Sequence, residues 1–289
     1  VVTVAKAHRD SADPARCGAL VAVEGRCCAP GQALEGERCV GRPFSCPAPL
    51  QIAEGGCLAP ALRVVVAAGV LHAGAGDWEA EGRVAPHDAA VASFAIDAFE
   101  VTESAYAECV RAGACASVPL SGEAGRAVSG ITRSEAEAYC AFRNGRLPTD
   151  DEWTFAASGS RPRRYPWGDT GAVCRRGAWG MKDGPCGLGV SLPELTGGHP
   201  DGVSPEGIYD LAGNVAEWVS STGAEGFVRG GSFGASLATD LRTWQTRRLP
   251  PQSRAPDVGV RCAYDADTTP KGAEPAVARA RPVVPLPAP

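Results

Sequence analysis

Sulfur dominates the chemistry open to this chain: Cys17, Cys27, Cys28, Cys39, Cys46, Cys57, Cys109, Cys115, Cys140, Cys174, Cys186 and Cys262 make twelve cysteines in 289 residues. Thiolates can ligate metals, attack electrophiles or pair with one another, and spacing separates these uses. Zinc modules rely on close Cys-x-x-Cys or His-x-x-x-His pairs. Neither occurs here, and His8, His72, His87 and His199 are scattered singly. An even cysteine count without metal spacing predicts disulfides, and with them an oxidising compartment: periplasm, cell surface or exterior. A serine hydrolase can be drawn on paper from His199, Asp201 or Asp210 and a serine, but no Gly-x-Ser-x-Gly elbow is expected to present the serine, and the His199-Pro-Asp-Gly string reads as a turn.

The formal charge of -5 offers no basic stripe to neutralise phosphates, which argues against nucleic acid as a partner. The longest apolar stretch, Ala61 to Leu71, is too short to span a bilayer and reads as a pair of strands. The chain starts at Val1 without a charged and apolar leader, as a mature secreted protein does after signal cleavage, or as a trimmed chain would.

The elements that must position these groups fall into three segments. Residues 1–60 carry a repeat in which each unit runs from a cysteine through a short apolar patch to Glu-Gly and a second cysteine. Units this small cannot bury a core, so a disulfide across each one replaces packing. The expected pairs are Cys17–Cys27, Cys28–Cys39 and Cys46–Cys57. The adjacent Cys27 and Cys28 leave a slipped pairing open. Such a segment is expected to act as a stalk or docking module, or to pack on the main domain as a stapled extension.

Residues 61–264 read as one α+β domain. Apolar alternation predicts strands around Val64–Ala73 and Val91–Val101. Thr102 caps a helix that stops at Gly113, with Cys109 and Cys115 placed to close its last turn. Thr132 with Glu135, and Thr149 with Glu152, are capping boxes that open two further helices. After Ala157 the chain becomes Gly- and Pro-rich with little periodicity, and Cys174 with Cys186 would staple that long loop region. Residues 265–289 are rich in Pro and Ala and predict an extended tail. Short apolar strings at Val1–Ala5 and Arg281–Pro287 suggest arms that lie on a protein partner or exchange with a second copy.

Six phrases occur in order along the domain: IDAFEVTESAYAECV, AYCAFRNGRLPTDDEW, YPWGD, GIYDLAGNVAEW, RGGSF and VGVRC. Together they resemble the formylglycine-generating enzyme, or sulfatase-modifying-factor, family over roughly Ala61 to Ala263. The resemblance implies a formylglycine-generating-enzyme-like fold of C-type-lectin-related ancestry with low regular secondary structure. It also implies a long-range disulfide between Cys140 and Cys262, and a calcium site from the carbonyls of Ala212, Gly213 and Val215 with the Glu217 carboxylate. The residues themselves equally allow Glu217 to bond loop amides or to pair with a buried Arg229 or Arg261.

Active members of that family oxidise a substrate cysteine using copper held by two thiolates, since soft Cu(I) selects soft ligands. The corresponding positions here are near Ala235 and Asp240, and no cysteine lies between Phe233 and Gly259. No copper is therefore expected, no catalytic residue is assigned, and Ca²⁺ is the one cofactor the resemblance leaves. Arg229, Arg242, Arg247, Arg248, Arg254 and Arg261 gather in the C-terminal part, either to meet an anionic or extended ligand or, the preferred reading, to form ion pairs. The expectation is a non-catalytic, extracytoplasmic binding or assembly protein on an enzyme-derived scaffold. The alternatives are an enzyme with an unidentified non-copper site and a ligand-sensing ectodomain.

Overall fold

Three short hairpins open the described structure, each closed by its own disulfide. The computed structural model describes residues 16–266 except 25, 37, 54, 55, 75, 222 and 224, so the apolar strings at both ends and nearly all of the tail lie outside the described residues. Strands β1 (Val21–Val23) and β2 (Arg26–Cys28) pair antiparallel, as do β3 (Ala33–Glu35) with β4 (Arg38–Val40) and β5 (Gln51–Ala53) with β6 (Gly56–Leu58). Disulfides join Cys17 to Cys27, Cys28 to Cys39 and Cys46 to Cys57. Isolated two-stranded hairpins are marginal in water, so these cross-links and docking on the main domain share the stabilisation.

Docking is direct. Leu20, Leu50 and the Cys17, Cys27 and Cys57 sulfurs pack with Leu195 of the domain in one buried cluster. The Ala19 amide donates to the Gly198 carbonyl at 3.0 Å. Gly18 makes this approach possible: its φ is +58°, and a Cβ there would stand 2.5 Å from the Gly198 oxygen.

In the domain, β7 (Arg63–Val66), β8 (Gly69–Ala73), β9 (His87–Val91) and β10 (Phe94–Asp97) come first. The Ala61–Leu71 stretch does hold two strands, but they do not pair with each other. Strand β7 pairs with β10, and β8 with β9. Each thereby turns an apolar residue, Val66 or Leu71, into the same cluster as Phe94, Trp153 and Ile208.

Three helices follow, α1 (Glu103–Arg111), α2 (Arg133–Phe142) and α3 (Asp150–Ser158). The Thr102 hydroxyl accepts from the Ala105 amide, and Thr132/Glu135 and Thr149/Glu152 form complete capping boxes. Beyond α3 the chain runs through turns to β11 (Ala216–Val219), β12 (Gly226–Arg229), β13 (Thr246–Leu249), β14 (Val258–Gly259) and β15 (Ala263–Asp265). A four-stranded sheet of order β13-β12-β11-β14 and a three-stranded sheet β15-β10-β7 flank the core, with β11 and β14 parallel. Disulfides Cys109–Cys115 and Cys174–Cys186 pin local loops, while Cys140–Cys262 ties α2 to the segment before β15 across 122 residues. No helix among the described residues is long and apolar enough to cross a membrane.

Candidate functional site

The turn that follows β12 builds a groove against one face of the four-stranded sheet. Gly230 and Gly231 adopt φ of +92° and +66°, conformations that L side chains rarely take, and a Cβ on Gly231 would meet the Asp240 carbonyl at 2.6 Å. The chain thus doubles back to set Ser232, Ala235 and Asp240 opposite Arg247 of β13 and Asp257, which precedes β14. The space between them is about 310 Å³, a small ligand-sized pocket.

Its polar wall is one hydrogen-bonded unit. The Ser232 hydroxyl donates to Asp257 Oδ2 at 2.7 Å, and Arg247 reaches the same carboxylate with Nη1 at 2.9 Å and Nη2 at 3.1 Å. Burial pushes the Asp257 carboxyl up, but the bonds from Arg247 and Ser232 outweigh it and hold the group below the usual aspartate range. A carboxylate so firmly ionised is a weak proton acceptor. The expectation that no Gly-x-Ser-x-Gly string occurs is wrong: Gly230–Gly234 spells one, the signal that singles out Ser232. The geometry is nevertheless not that of a hydrolase: the serine bonds an aspartate with no imidazole between them, and a single 3-10 turn, Ala238–Leu241, follows in place of an α-helix.

Ala235 and Asp240, which the family resemblance is expected to set near the thiolate positions, both line this groove. Neither carries sulfur, and all twelve cysteines are consumed in the six disulfides. Asp240 accepts from the Leu237 amide at 3.2 Å.

Glu217 lies behind the groove, wholly enclosed. Arg261 Nε meets both of its oxygens at 3.0 and 2.9 Å, Arg261 Nη2 adds a bond of 2.7 Å, and the Trp153 indole donates at 2.6 Å. Of the residues expected to hold calcium, Glu217 is therefore committed to a buried guanidinium and an indole. Around the same loop, the Gly213 amide donates to Gly230, and that of Val215 to Glu100. As arranged, this set does not fit a cation, because Ca²⁺ at Glu217 would have to displace Arg261. Among the described residues no group of three or more His, Cys, Asp or Glu side chains could hold a metal ion.

The other candidates, Arg247 excepted, sit apart from the groove. His199 is buried on Glu194 at 2.8 Å; burial lowers its pKa, but the Glu194 bond outweighs this and raises it. Asp210 accepts from the Gly197 amide, and exposed Asp201 faces Arg175. The C-terminal arginines each meet a carboxylate: Arg229 with Asp150, Arg242 with Glu79 and Asp77, Arg247 with Asp257, Arg248 with Glu225, Arg254 with Glu135 and Arg261 with Glu217. Trp244 donates its indole proton to Asp77, which places it in the Arg242 network.

Comparison with known proteins matches this architecture. Residues 57–266 fit the family model for the sulfatase-modifying factor enzyme 1-like domain. The chain is 35% identical over 159 residues to inactive C-alpha-formylglycine-generating enzyme 2 of Bos taurus, covering 48% of this chain and 50% of that protein. It is 30% identical over 183 residues to the formylglycine-generating enzyme of Streptomyces coelicolor, covering 52% and 56%. The chain thus spans about half the length of these curated relatives. The structure of PvdO from Pseudomonas aeruginosa superimposes with a TM-score of 0.57 at 20% identity, over 70% of this chain and 94% of that one, a likeness of fold. Motifs, topology and matched span agree, and the chain belongs to the sulfatase-modifying factor enzyme 1-like domain family.

Proposed function

We propose that this protein is a non-catalytic, extracytoplasmic binding protein that uses the groove at Ser232, Asp257 and Arg247 to hold a segment of a protein partner. The observation that carries the reading is the pair Ala235 and Asp240 lining an intact groove with no sulfur to bind Cu(I). A relative named as inactive, matched over half its length, supports it. Six disulfides support an oxidising location. The apolar strings at Val1–Ala5 and Arg281–Pro287, outside the described residues, extend the proposal to assembly with the partner or a second copy as exchanged arms.

The test is capture of binding partners from the extracytoplasmic fraction of the source cells by the folded chain, with Arg247→Ala and Ser232→Ala as comparisons. A partner held by the native chain and lost by both variants supports the groove. Equal retention by all three proteins contradicts it. Light scattering of chains with and without the two arms tests assembly: an unchanged mass on truncation rejects it.

A further inference from the structure

A second groove, separate from the first, lies where the disulfide hairpins meet the main domain. It has a volume of about 620 Å³ and is bounded by Arg38 and Val40 of β4, Arg42, Ile52 of β5, and the Gly122–Glu123 turn. That volume is within the ~300–1,000 Å³ typical of ligand sites. The hairpins β3–β4 and β5–β6 belong to separate two-stranded sheets, so β4 and β5 face the groove as unjoined walls.

Among the described lining residues the charge is one-sided. Glu123, the one acidic residue among the described lining residues, is already bound by the Arg126 guanidinium and lies 3.7 Å from that of Arg26. Arg38 and Arg42 are exposed and have no ion pair among the described residues. Arg38 Nη1 lies over Gly122, 3.2 Å from where a Cβ would stand, and Gly122 has φ +85°. Ile52 supplies an apolar patch on the β5 wall, 45% exposed.

From this arrangement we infer that the hairpin groove binds an extended acidic peptide segment of a partner protein. Guanidinium forks bond carboxylates in bidentate fashion. An extended chain directs alternate side chains to opposite sides and can bond the free edge of a short strand. A segment alternating acidic and apolar residues would thus set carboxylates on Arg38 and Arg42 and an apolar side chain on Ile52. The inference does not rest on the Ser232 groove, and its test leaves that groove untouched.

The experiment is a fluorescence-anisotropy titration of the full chain with a labelled, end-capped peptide of about eight alternating Glu and Val residues, and with its Lys–Val counterpart. The expected result is saturable binding of the acidic peptide alone, weakened at least about tenfold by Arg38→Ala combined with Arg42→Ala. Binding should be unaltered by Arg247→Ala. Gly122→Val, which crowds Arg38, is expected to weaken it as well, and melting curves verify that each variant is folded. No saturable binding, equal binding of the Lys–Val peptide, indifference to the double substitution, or displacement by millimolar inorganic phosphate would overturn the proposal.

Discussion

Arg261 holds Glu217 through both carboxylate oxygens, with contacts of 3.0, 2.9 and 2.7 Å, and neither side chain reaches solvent. The guanidinium also donates to the carbonyls of Asp97 and Tyr209, so it joins β10, the GIYDLAGN loop and β11. Removing one partner leaves a buried charge unpaired. Glu217→Ala is therefore expected to cost about 3–5 kcal/mol in chemical denaturation. Coupling in a cycle with Arg261→Met should make the double variant less damaged than the sum of the singles.

The same pairing predicts indifference to calcium. A ligand that binds only the native state raises its melting temperature with concentration. With Glu217 occupied by Arg261 and Trp153, millimolar Ca²⁺ and excess chelator are expected to give the same melting temperature. A calcium-dependent rise would show that the loop rearranges to coordinate the ion.

Asp97 makes stability depend on pH in an unusual direction. Burial raises its carboxyl from 3.8 to about 6, against opposing bonds from Tyr264 and the Cys262 amide. Between those values the native state keeps a proton that the unfolded chain has released. The contribution is thus fully present below the unfolded value and is lost as pH rises through the folded one. The stability of the wild type relative to Asp97→Asn should fall by roughly 1–3 kcal/mol between pH 4 and 7. A pH-independent difference in urea midpoints would refute this.

The Cys140–Cys262 bridge spans 122 residues and joins α2 to the segment between β14 and β15 that carries Arg261. Replacing both cysteines with alanine is expected to cost about 2–5 kcal/mol in urea unfolding. The Cys109–Cys115 bridge closes only a helix end, with a separation of 6, and its removal should cost less. Equal losses would mean that native strain, rather than loop closure, sets the values.

Local chemistry was the legible part of this chain. Thr132 and Thr149 announce their helices because a capping box is complete within four residues. Cys17 and Cys27 bracket a single hairpin, so spacing alone suggests their bond. Partner choice over long distances was less legible. The apolar pattern of β7 and β8 marks strands but does not reveal that each pairs with a later one. Glu217 was open to a cation, loop amides or an arginine until the fold brought Arg261 beside it, 44 residues on. The Gly230–Gly234 string marks Ser232 in the sequence, but its partners Asp257 and Arg247 meet it only in the folded sheet.

The groove lined by Ala235 and Asp240 is proposed to stand where active family members hold copper, without the thiolates to bind it. Oxygen uptake by the full chain, supplied with Cu(I) and a cysteine-containing peptide, tests that most directly. The account predicts a rate equal to copper and peptide alone, because Ala235 and Asp240 provide no thiolate pair. Copper-dependent turnover above that background, lost on Arg247→Ala, would contradict it.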